Sequence, residues 1–530
     1  MPPIASRLNA RSEQYAANRE AMILALDEVQ DAQRQVLAGG GEKYVERHRK
    51  RGKLLARERV ELLIDPGSAL LELSPLAGWG TEHPLGGGLV TAIGVVEGTE
   101  CMIMANDPTI RGGSQSPVSV QKALRGYEIA RINRLPLINL TESGGADLPF
   151  QSQIFVPGGA SFKEISRLSK EGVPTIALVF GSSTAGGAYV PGMSDYTVFV
   201  KGGAQVFLGG PPLVKMATNE DADEETLGGA EMHARQSGLA DYLARDEYDA
   251  IRIGREIMRH LRHARPAPLR MVGAEPAYDV EEMLGIPSAD PRTPYDIREV
   301  IARSVDASEF EEFKPLYGAN LVCGWARLHG QDIGILANNG ILFSEESQKG
   351  AHFIQLSNQQ SIPLLFIHNI TGFMVGTRYE QGGIIKDGSK LINAVSNSSV
   401  PHYSLMVGNS YGAGNYAMSG RAYDPRFVFS WPSHKIAVMG GKQLAGVLSI
   451  VRQNAAKAAG KELDEKEDAA IRQAVEAQID KESTALYATG QIWDDGLIDP
   501  RDTRTVLGIA MSAARGNPTD SDRGYAAFRM

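Results

Sequence analysis

The sequence contains two copies of one unit, and this duplication limits the folds available to the chain. RLPLINLTESGG (134–145) aligns with SIPLLFIHNITG (361–372), and VPTIALVFGSSTAGGAY (173–189) aligns with VPHYSLMVGNSYGAGNY (400–416). In both pairs, individual prolines and glycines coincide at a spacing of 227 residues. Two further blocks keep the same order, GLVTAIGVVEG with NLVCGWARLHG and VFLGGP with AVMGGK. The chain of 530 residues is therefore predicted to fold as two similar units.

Each copy alternates apolar segments of strand length, such as ECMIMAND and PTIALVFGS, with helical segments. Helices are predicted over 119–133 and 158–172. Buried strands that alternate with helices are typical of a largely parallel sheet with both faces covered, so the predicted fold class is α/β. Outside the repeat, 9–64 is expected to be helical and charged, and 453–484 to form one exposed charged helix.

Composition excludes several classes of function. The net charge of −9 and the pI near 5.7 argue against a nucleic-acid partner, which requires a basic face. The two cysteines, Cys101 and Cys323, form no CxxC pair, and the histidines show no HExxH spacing, so no metal is expected. No apolar segment reaches the length of a membrane helix and no secretion signal is apparent, which favours a cytoplasmic location without a membrane partner.

A glycine-rich turn follows the third apolar segment in both copies, SSTAGGAYVPG (182–192) and NSYGAGNYAMSG (409–420). Glycine lets backbone N–H groups approach a ligand, and the start of a helix offers donors without an intrahelical acceptor. Such a pair of donors forms an oxyanion hole. Most single Gly-Gly turns are only tight turns, but two at equivalent repeat positions favour two oxyanion holes.

Other candidate groups are weaker. The basic segment RHRKRGKLLARER (47–59) would suit the phosphates of a ligand such as coenzyme A, or would be a solvated helix face paired with Glu46 and Glu58. His368 follows an apolar strand and is interpreted as a buried, hydrogen-bonded core residue rather than a base. No GxSxG nucleophile motif is present. The chemistry is therefore expected to depend on oxyanion stabilisation.

Long segments of both copies resemble the carboxyltransferase subunits of biotin-dependent acyl-CoA carboxylases, over about residues 15–515. They include TESGGADLPFQ, GSSTAGGAYVPGMSD, LANNGILFSEESQKGAHFIQL and GNSYGAGNYAMSGRAYDPRF. Within this family, GFMVG and YGAGNYAMSGRAY are most similar to methylcrotonyl-CoA carboxylase β subunits. NDPTIRGGSQSPVSVQK (106–122) and the loop expected at 151–165 depart from that pattern. The acyl group therefore stays open to geranyl-, propionyl- or long-chain acyl-CoA.

The resemblance implies two duplicated crotonase-like (ClpP/crotonase) ββα-superhelix domains, an acyl-CoA side over 1–275 and a biotin side over 283–520. It implies transfer of a carboxyl group from carboxybiotin to an acyl-CoA, with 3-methylcrotonyl-CoA giving 3-methylglutaconyl-CoA. The biotin carboxylase and biotin carrier would belong to a separate α subunit, and the chain would form a homo-hexamer core within an α6β6-type complex. Alternatives are a related acyl-CoA decarboxylase subunit and a non-catalytic scaffold subunit.

The resemblance also assigns residues. Gly186 and Gly187 would hold the thioester oxygen, and Ala413 and Gly414 the ureido oxygen of biotin. The residues expected to bind acyl-CoA are Arg51, Lys53, Arg57, Ser143, Gly144, Gly145, Ala146 and Ala185. Those expected to bind biotin are Gly372, Phe373, Val375, Tyr411 and Gly412.

Overall fold

The structure is a computed structural model that describes residues 2–288, 290, 293–460, 464–519 and 524–526. Each half of the chain contains one β-sheet. The strands of the first sheet are β1 (Leu70–Leu73), β2 (Leu89–Val96), β3 (Thr99–Asn106), β4 (Leu137–Ser143), β5 (Thr175–Thr184), β6 (Tyr196–Val200), β7 (Gln205–Phe207) and β8 (Tyr242–Ala244). Those of the second are β9 (Glu311–Phe313), β10 (Leu321–Leu328), β11 (Gln331–Asn338), β12 (Leu364–Ile370), β13 (His402–Tyr411), β14 (Phe427–Ser430) and β15 (Lys435–Ala437).

The two sheets share one topology. The first has the order β1-β2-β3-β4-β5-β6-β8, with β7 paired to β5, and the second has the order β14-β13-β12-β11-β10-β9, with β15 paired to β13. In both, the first three strands along the chain are antiparallel and the following strands are parallel. The repeat predicted from the aligned prolines and glycines is confirmed for β1–β7 and β9–β15, whereas β8 has no counterpart in the second sheet of the described residues.

Helices cover the sheets and extend from their ends. In the first half they are α1 (Glu13–Leu37), α2 (Glu42–Lys50), α3 (Ala56–Leu63), α4 (Pro117–Ile132), α5 (Gln151–Lys170), α6 (Tyr189–Met193), α7 (Pro211–Thr218), α8 (Glu224–Gly228), α9 (Ala230–Met232) and α10 (Glu247–His260). In the second they are α11 (Arg298–Ala302), α12 (Ser344–Gln359), α13 (Thr377–Gln381), α14 (Ile384–Ser396), α15 (Ala413–Ala417), α16 (Gly441–Ala458), α17 (Glu465–Glu482), α18 (Ala485–Gly490) and α19 (Thr503–Ala514).

Two sequence predictions of helices are corrected. The loop expected at 151–165 is wrong, because α5 begins at Gln151 and continues through Pro157 in its interior. The helix predicted over 158–172 is confirmed as the second part of α5, which ends at Lys170. The single helix expected over 453–484 is wrong, because α16 ends at Ala458 and α17 begins at Glu465. Residues 461–463 of that prediction lie outside the described residues. The charged region 9–64 is helical as predicted, divided into α1, α2 and α3.

The ends of the chain pack on the opposite halves. Near the N-terminus, the Ile4 N–H donates to the Ser308 carbonyl at 2.9 Å, and the Ser6 hydroxyl donates to Glu299 at 2.6 Å. Near the C-terminus, the Arg265 guanidinium donates to the Ala513 carbonyl at 2.6 Å. The largest apolar core accordingly contains residues from both halves.

Across the described part of the chain, every helix is too short or too polar to cross a membrane. The same residues include no group of three or more His, Cys, Asp or Glu side chains placed to hold a metal ion.

Candidate active site

The first glycine-rich turn directly follows the buried strand β5. The chain passes from Thr184 into a 3-10 turn over Ala185–Ala188 and then into α6. Ala185 has φ of +53°, a left-handed conformation that is strained for a residue with a Cβ. The predicted donors, the N–H groups of Gly186 and Gly187, belong to the first residues of this turn, directly after Ala185. The turn therefore presents backbone donors at the end of a parallel strand.

The two glycines of this turn have different surroundings. A methyl group on Gly186 would meet Phe162 Cζ at 3.6 Å, an ordinary van der Waals distance. A methyl group on Gly187 would lie 3.2 Å from both Cβ and Oγ of Ser143. Gly187 is thus required for the close packing of the turn against β4, whereas Gly186 faces more open space.

The loop after β4 packs against this turn. The Gly145 N–H donates to Ser143 Oγ at 3.3 Å, and the Gly144 N–H donates to the Gly112 carbonyl at 3.1 Å. The Gln115 N–H donates to the Gly145 carbonyl at 2.7 Å, and Ala146 forms a bridge with Gln115. The structure therefore brings together the predicted residues of the two loops, Ser143, Gly144, Gly145, Ala146, Ala185, Gly186 and Gly187.

The second turn is the repeat equivalent of the first. Strand β13 ends at Tyr411, Gly412 has φ of +55°, and α15 begins at Ala413. The Gly412 N–H donates to the Ala437 carbonyl at 3.0 Å, which fixes the turn to β15. The N–H groups of Ala413 and Gly414 lie in the first turn of α15 and have no intrahelical acceptor. A methyl group on Gly414 would lie 2.9 Å from Ile370 Cδ1 and Cγ1, so this position requires glycine.

The predicted biotin-side residues are only partly brought together. Gly372 Cα lies 3.4 Å from the position of a methyl group on Gly414. Phe373 packs on the apolar core of the second half, while Val375 is 72% exposed. Tyr411 lines a cavity of about 660 Å³ that belongs to the second half.

The three cationic residues predicted to bind coenzyme A lie in three different environments. Lys53 is partly buried and donates to Glu142 at 2.5 Å and to the Phe180 carbonyl at 3.2 Å. Arg57 forms two hydrogen bonds with Glu72 on the edge strand β1. Arg51 is exposed, and no ion pair connects it to a described residue. Of the three, Arg51 is therefore the cation available to an anionic ligand without breaking a pair.

A buried ionic network lies beneath the first turn. Arg59 is fully buried and donates to Glu142 at 2.9 Å and to Glu247 at 2.8 Å. Burial opposes the charge of Glu142, but Arg59 and Lys53 outweigh it and hold the pKa of this carboxyl below its ordinary value. Because Glu142 directly precedes Ser143, the network anchors the end of β4.

The basic segment and His368 make contacts that bear on their interpretation. Arg49 pairs with Glu58 at 2.6 Å and Lys50 with Glu46 at 3.2 Å, as expected for a solvated helix face. His368 is fully buried, and its Nδ1 lies 3.0 Å from Ser410 Oγ. Burial, followed by the charge of His434, lowers the pKa of His368 to about 3, so the ring is neutral near pH 7. His368 is a hydrogen-bonded core residue, as predicted.

Phe162 is a residue near the site that sequence reasoning missed. It lies on α5, against Gly186, and its ring centroid is 5.2 Å from that of Tyr189. Its helical position agrees with the helix predicted over 158–172. Nothing in the sequence indicated that its ring lies against Gly186, because that contact joins two distant elements.

Comparisons with known proteins agree with this geometry. The Carboxyl transferase domain family matches residues 47–523. The chain is 60% identical to the probable biotin-dependent acyl-coenzyme A carboxylase β2 subunit of Mycobacterium tuberculosis, with 99% of both chains covered. It is 50% identical to the biotin-dependent 3-methylcrotonyl-coenzyme A carboxylase β1 subunit of the same organism, over 93% of this chain and 94% of that protein.

A solved structure extends the likeness to the fold. The β subunit of geranyl-CoA carboxylase from P. aeruginosa has a TM-score of 0.92 and 45% identity, with 99% of each chain covered. This similarity, together with the two equivalent sheets, confirms the predicted fold class of two duplicated crotonase-like α/β units. The chain belongs to the carboxyl transferase family, alongside the β subunits of biotin-dependent acyl-CoA carboxylases.

Proposed function

We propose that this chain is the carboxyltransferase subunit that moves a carboxyl group from carboxybiotin to an acyl-CoA, with 3-methylcrotonyl-CoA as substrate and 3-methylglutaconyl-CoA as product. The observation that carries the proposal is the pair of equivalent turns, each starting a helix directly after a buried parallel strand. The first turn belongs to the proposed acyl-CoA side (1–275) and the second to the proposed biotin side (283–520). Residue 520 lies outside the described residues.

The first turn would stabilise the enolate of the substrate. Removing a proton from an acyl thioester places negative charge on the thioester oxygen, and the N–H groups of Gly186 and Gly187 would bind that oxygen. A preorganised donor of this kind contributes about 3–4 kcal/mol in other enzymes. The loops around Gly144 and Gln115 pack over the turn and would limit the access of water, which would protonate the enolate.

The second turn fits a ureido group. Ala413 and Gly414 offer adjacent N–H groups to a single oxygen, and Gly372 leaves space beside them. Carboxybiotin supplies the carboxyl group and, after its release, a ring nitrogen basic enough to take the substrate proton. Gly372, Phe373, Val375, Tyr411 and Gly412 would surround the bound ring.

Exposed apolar side chains in both halves support assembly of several copies. In the first half they include Phe155 (81%), Val156 (78%) and Met216 (88%). In the second half they include Val438 (76%) and Ile385 (75%). Of these, Phe155 and Val156 are adjacent in the chain and are candidates for burial against another copy. A homo-hexamer core, in which the first half of one copy covers the second half of another, would bury these residues, and a separate α subunit would carry the biotin carboxylase and biotin.

The test is incorporation of labelled bicarbonate into acyl-CoA by the complex purified with its α subunit, in the presence of ATP. We expect transfer with 3-methylcrotonyl-CoA and its loss in Gly186→Val. Gly192→Val is the matched control, because a Cβ on Gly192 would meet no atom within 4 Å and because Gly192 lies in α6, beyond the 3-10 turn Ala185–Ala188. Undiminished transfer by Gly186→Val would reject the proposal, and so would the absence of transfer with every acyl-CoA tested.

A second candidate substrate is geranyl-CoA, since the β subunit of geranyl-CoA carboxylase shares the fold with a TM-score of 0.92. A panel containing 3-methylcrotonyl-, geranyl-, propionyl- and long-chain acyl-CoA separates these possibilities. A non-catalytic scaffold is disfavoured because both turns retain their donors and tight packing.

A further inference from the structure

A chain of hydrogen bonds crosses the interior of the second half and ends at the second turn. His368 on β12 has its Nδ1 atom 3.0 Å from Ser410 Oγ on β13. The side chain of Asn415, a residue of α15, donates from Nδ2 to the same Ser410 Oγ at 2.8 Å. All three residues are buried. The chain therefore joins the centre of the sheet to the residue that directly follows Gly414.

The donors and acceptors of this chain fix its direction. The amide nitrogen of Asn415 can only donate, so Ser410 Oγ accepts from it. The hydroxyl proton of Ser410 is then available to His368 Nδ1, and the proton of the neutral ring lies on Nε2. His368 thus takes the only proton of Ser410 and leaves the lone pairs of the hydroxyl oxygen to Asn415.

Asn415 is the residue through which this chain reaches the proposed oxyanion hole for biotin. Its backbone N–H donates to the Gly412 carbonyl at 3.1 Å, and its carbonyl accepts from the Gly420 N–H at 2.9 Å. The backbone of Asn415 is therefore tied to both ends of the second turn, and its side chain is tied to Ser410. Because the direction of the Gly414 N–H depends on the backbone on either side of it, fixing Asn415 also fixes this donor.

The aligned positions of the first half do not form such a chain. They hold Thr141, Ser183 and Ala188. The hydroxyl groups of Thr141 and Ser183 have no hydrogen-bond partner among the described residues, and Ala188 has no polar side chain to offer. The first turn is instead held by the close packing of Gly187 on Ser143. The duplicated fold therefore forms a glycine-rich turn without these polar contacts, which are particular to the second half.

From this chain of contacts, we infer that His368 is a positioning residue for the second turn and acts through Ser410 and Asn415. The inference rests on the proposed function, because the donor that is positioned is the Gly414 N–H, which would bind the ureido oxygen of carboxybiotin. His368 is completely buried and influences the reaction only through these two neighbours. Its loss should lower the rate of carboxyl transfer and leave the binding of acyl-CoA to the first half unchanged.

The experiment compares turnover with acyl-CoA affinity in the complex purified with its α subunit, using the acyl-CoA that the wild-type complex carboxylates. In His368→Leu, which removes the acceptor, we expect turnover to fall about tenfold to a hundredfold, as for a small displacement of a reacting group. The calorimetric dissociation constant of acyl-CoA should change by less than about twofold. His368→Asn should restore most of the turnover, because its Oδ1 is as many bonds from Cα as Nδ1 and can accept the Ser410 proton. Ser410→Ala should lose turnover as His368→Leu does.

His402→Leu is the matched control. His402 is also a buried histidine, with its Nδ1 3.0 Å from Ser419 Oγ, but Ser419 lies after the end of α15 rather than at its start. Both leucine variants remove a buried ring and one hydrogen bond, so both should lower the melting temperature. We expect His402→Leu to retain turnover.

The outcomes separate the inference from the proposed function. Full turnover in Ser410→Ala would overturn the inference, and so would equal turnover in His368→Leu and His368→Asn. A comparable loss of turnover in His402→Leu would also overturn it, because reduced stability alone would then explain the result. If His368→Leu does not fold, Ser410→Ala, which removes a single oxygen atom, decides the question. Absence of transfer by the wild-type complex with every acyl-CoA would reject the proposed function, and the inference with it.

Discussion

Ala185 and Gly412 occupy the same position in the two halves and both have a positive φ, of +53° and +55°. The positive φ is therefore kept by the duplicated fold even where the residue is alanine. Left-handed backbone costs a residue with a Cβ about 1–2 kcal/mol relative to glycine. Strain of this kind persists where surrounding packing fixes the conformation.

The substitutions Gly412→Ala and Ala185→Gly should change the free energy of unfolding in opposite directions. Gly412→Ala introduces the strain and places a methyl group 3.1 Å from the Val438 carbonyl oxygen, so we expect a loss of about 1–2 kcal/mol. Ala185→Gly relieves the strain and should leave the free energy of unfolding equal or up to about 1 kcal/mol higher. Urea unfolding of the two variants beside the wild type checks this. A loss in Ala185→Gly would show that the alanine methyl group contributes packing that outweighs its strain.

Gly186 and Gly414 should respond differently to the same substitution. Gly186→Val should fold, because the nearest neighbour of an added methyl group is Phe162 at 3.6 Å, and should lose transfer by at least about a hundredfold. Gly414→Val should be destabilised by about 1–3 kcal/mol, since the added group would overlap Ile370 in the core. Thermal melting and transfer assays on the same preparations separate the two effects. A stable Gly414→Val would contradict the packing described for the second turn.

Substitutions of Arg51 and Lys53 should show that one residue affects ligand binding and the other affects the stability of the fold. Arg51→Met should weaken coenzyme A binding about threefold to tenfold, more at low salt than at high salt, with little change in melting temperature. Lys53→Met removes a cation 2.5 Å from the carboxylate of Glu142, which keeps its pair with Arg59, and should destabilise the fold by about 1–3 kcal/mol. Calorimetric titration and melting curves measure both effects. Unchanged binding in Arg51→Met would remove this residue from the acyl-CoA site.

His402 should make stability fall in mildly acidic solution. Its burial, and then the charge of Arg426, lower its pKa to about 3 from an ordinary value of 6.5. The unfolded chain therefore takes up this proton below pH 6.5 while the folded chain does not, so stability is complete above pH 6.5 and declines as the pH falls towards 3. His402→Leu should reduce the slope of unfolding free energy between pH 4 and 6 by about 1.4 kcal/mol per pH unit. An unchanged slope would mean that His402 is not neutral in the folded chain.

Much of the fold could be predicted because Pro136 and Gly181 recur as Pro363 and Gly408, which fixes the repeat and its strands. The turns were found for the same reason. Features that depend on contacts between residues far apart in the sequence could not be predicted. The pairing of Lys53 with Glu142 joins residues 89 positions apart, so the basic segment gave no indication that one of its lysines is partly buried in an ion pair. The left-handed Ala185 also lacks a local signal, since alanine is rarely selected for that conformation.

The exchange of terminal segments has a consequence for how the protein can be divided. Ile4 and Ser6 hydrogen-bond within the second half, and Ala513 accepts a bond from the first. If the chain were cut between the repeats, each fragment would contain a terminal segment that packs on the other half. Each fragment would also lack the terminal segment that packs on its own half. We therefore expect the two fragments to accumulate as a soluble pair when they are coexpressed and to aggregate when each is produced alone. The two duplicated halves would then fold as a single cooperative unit.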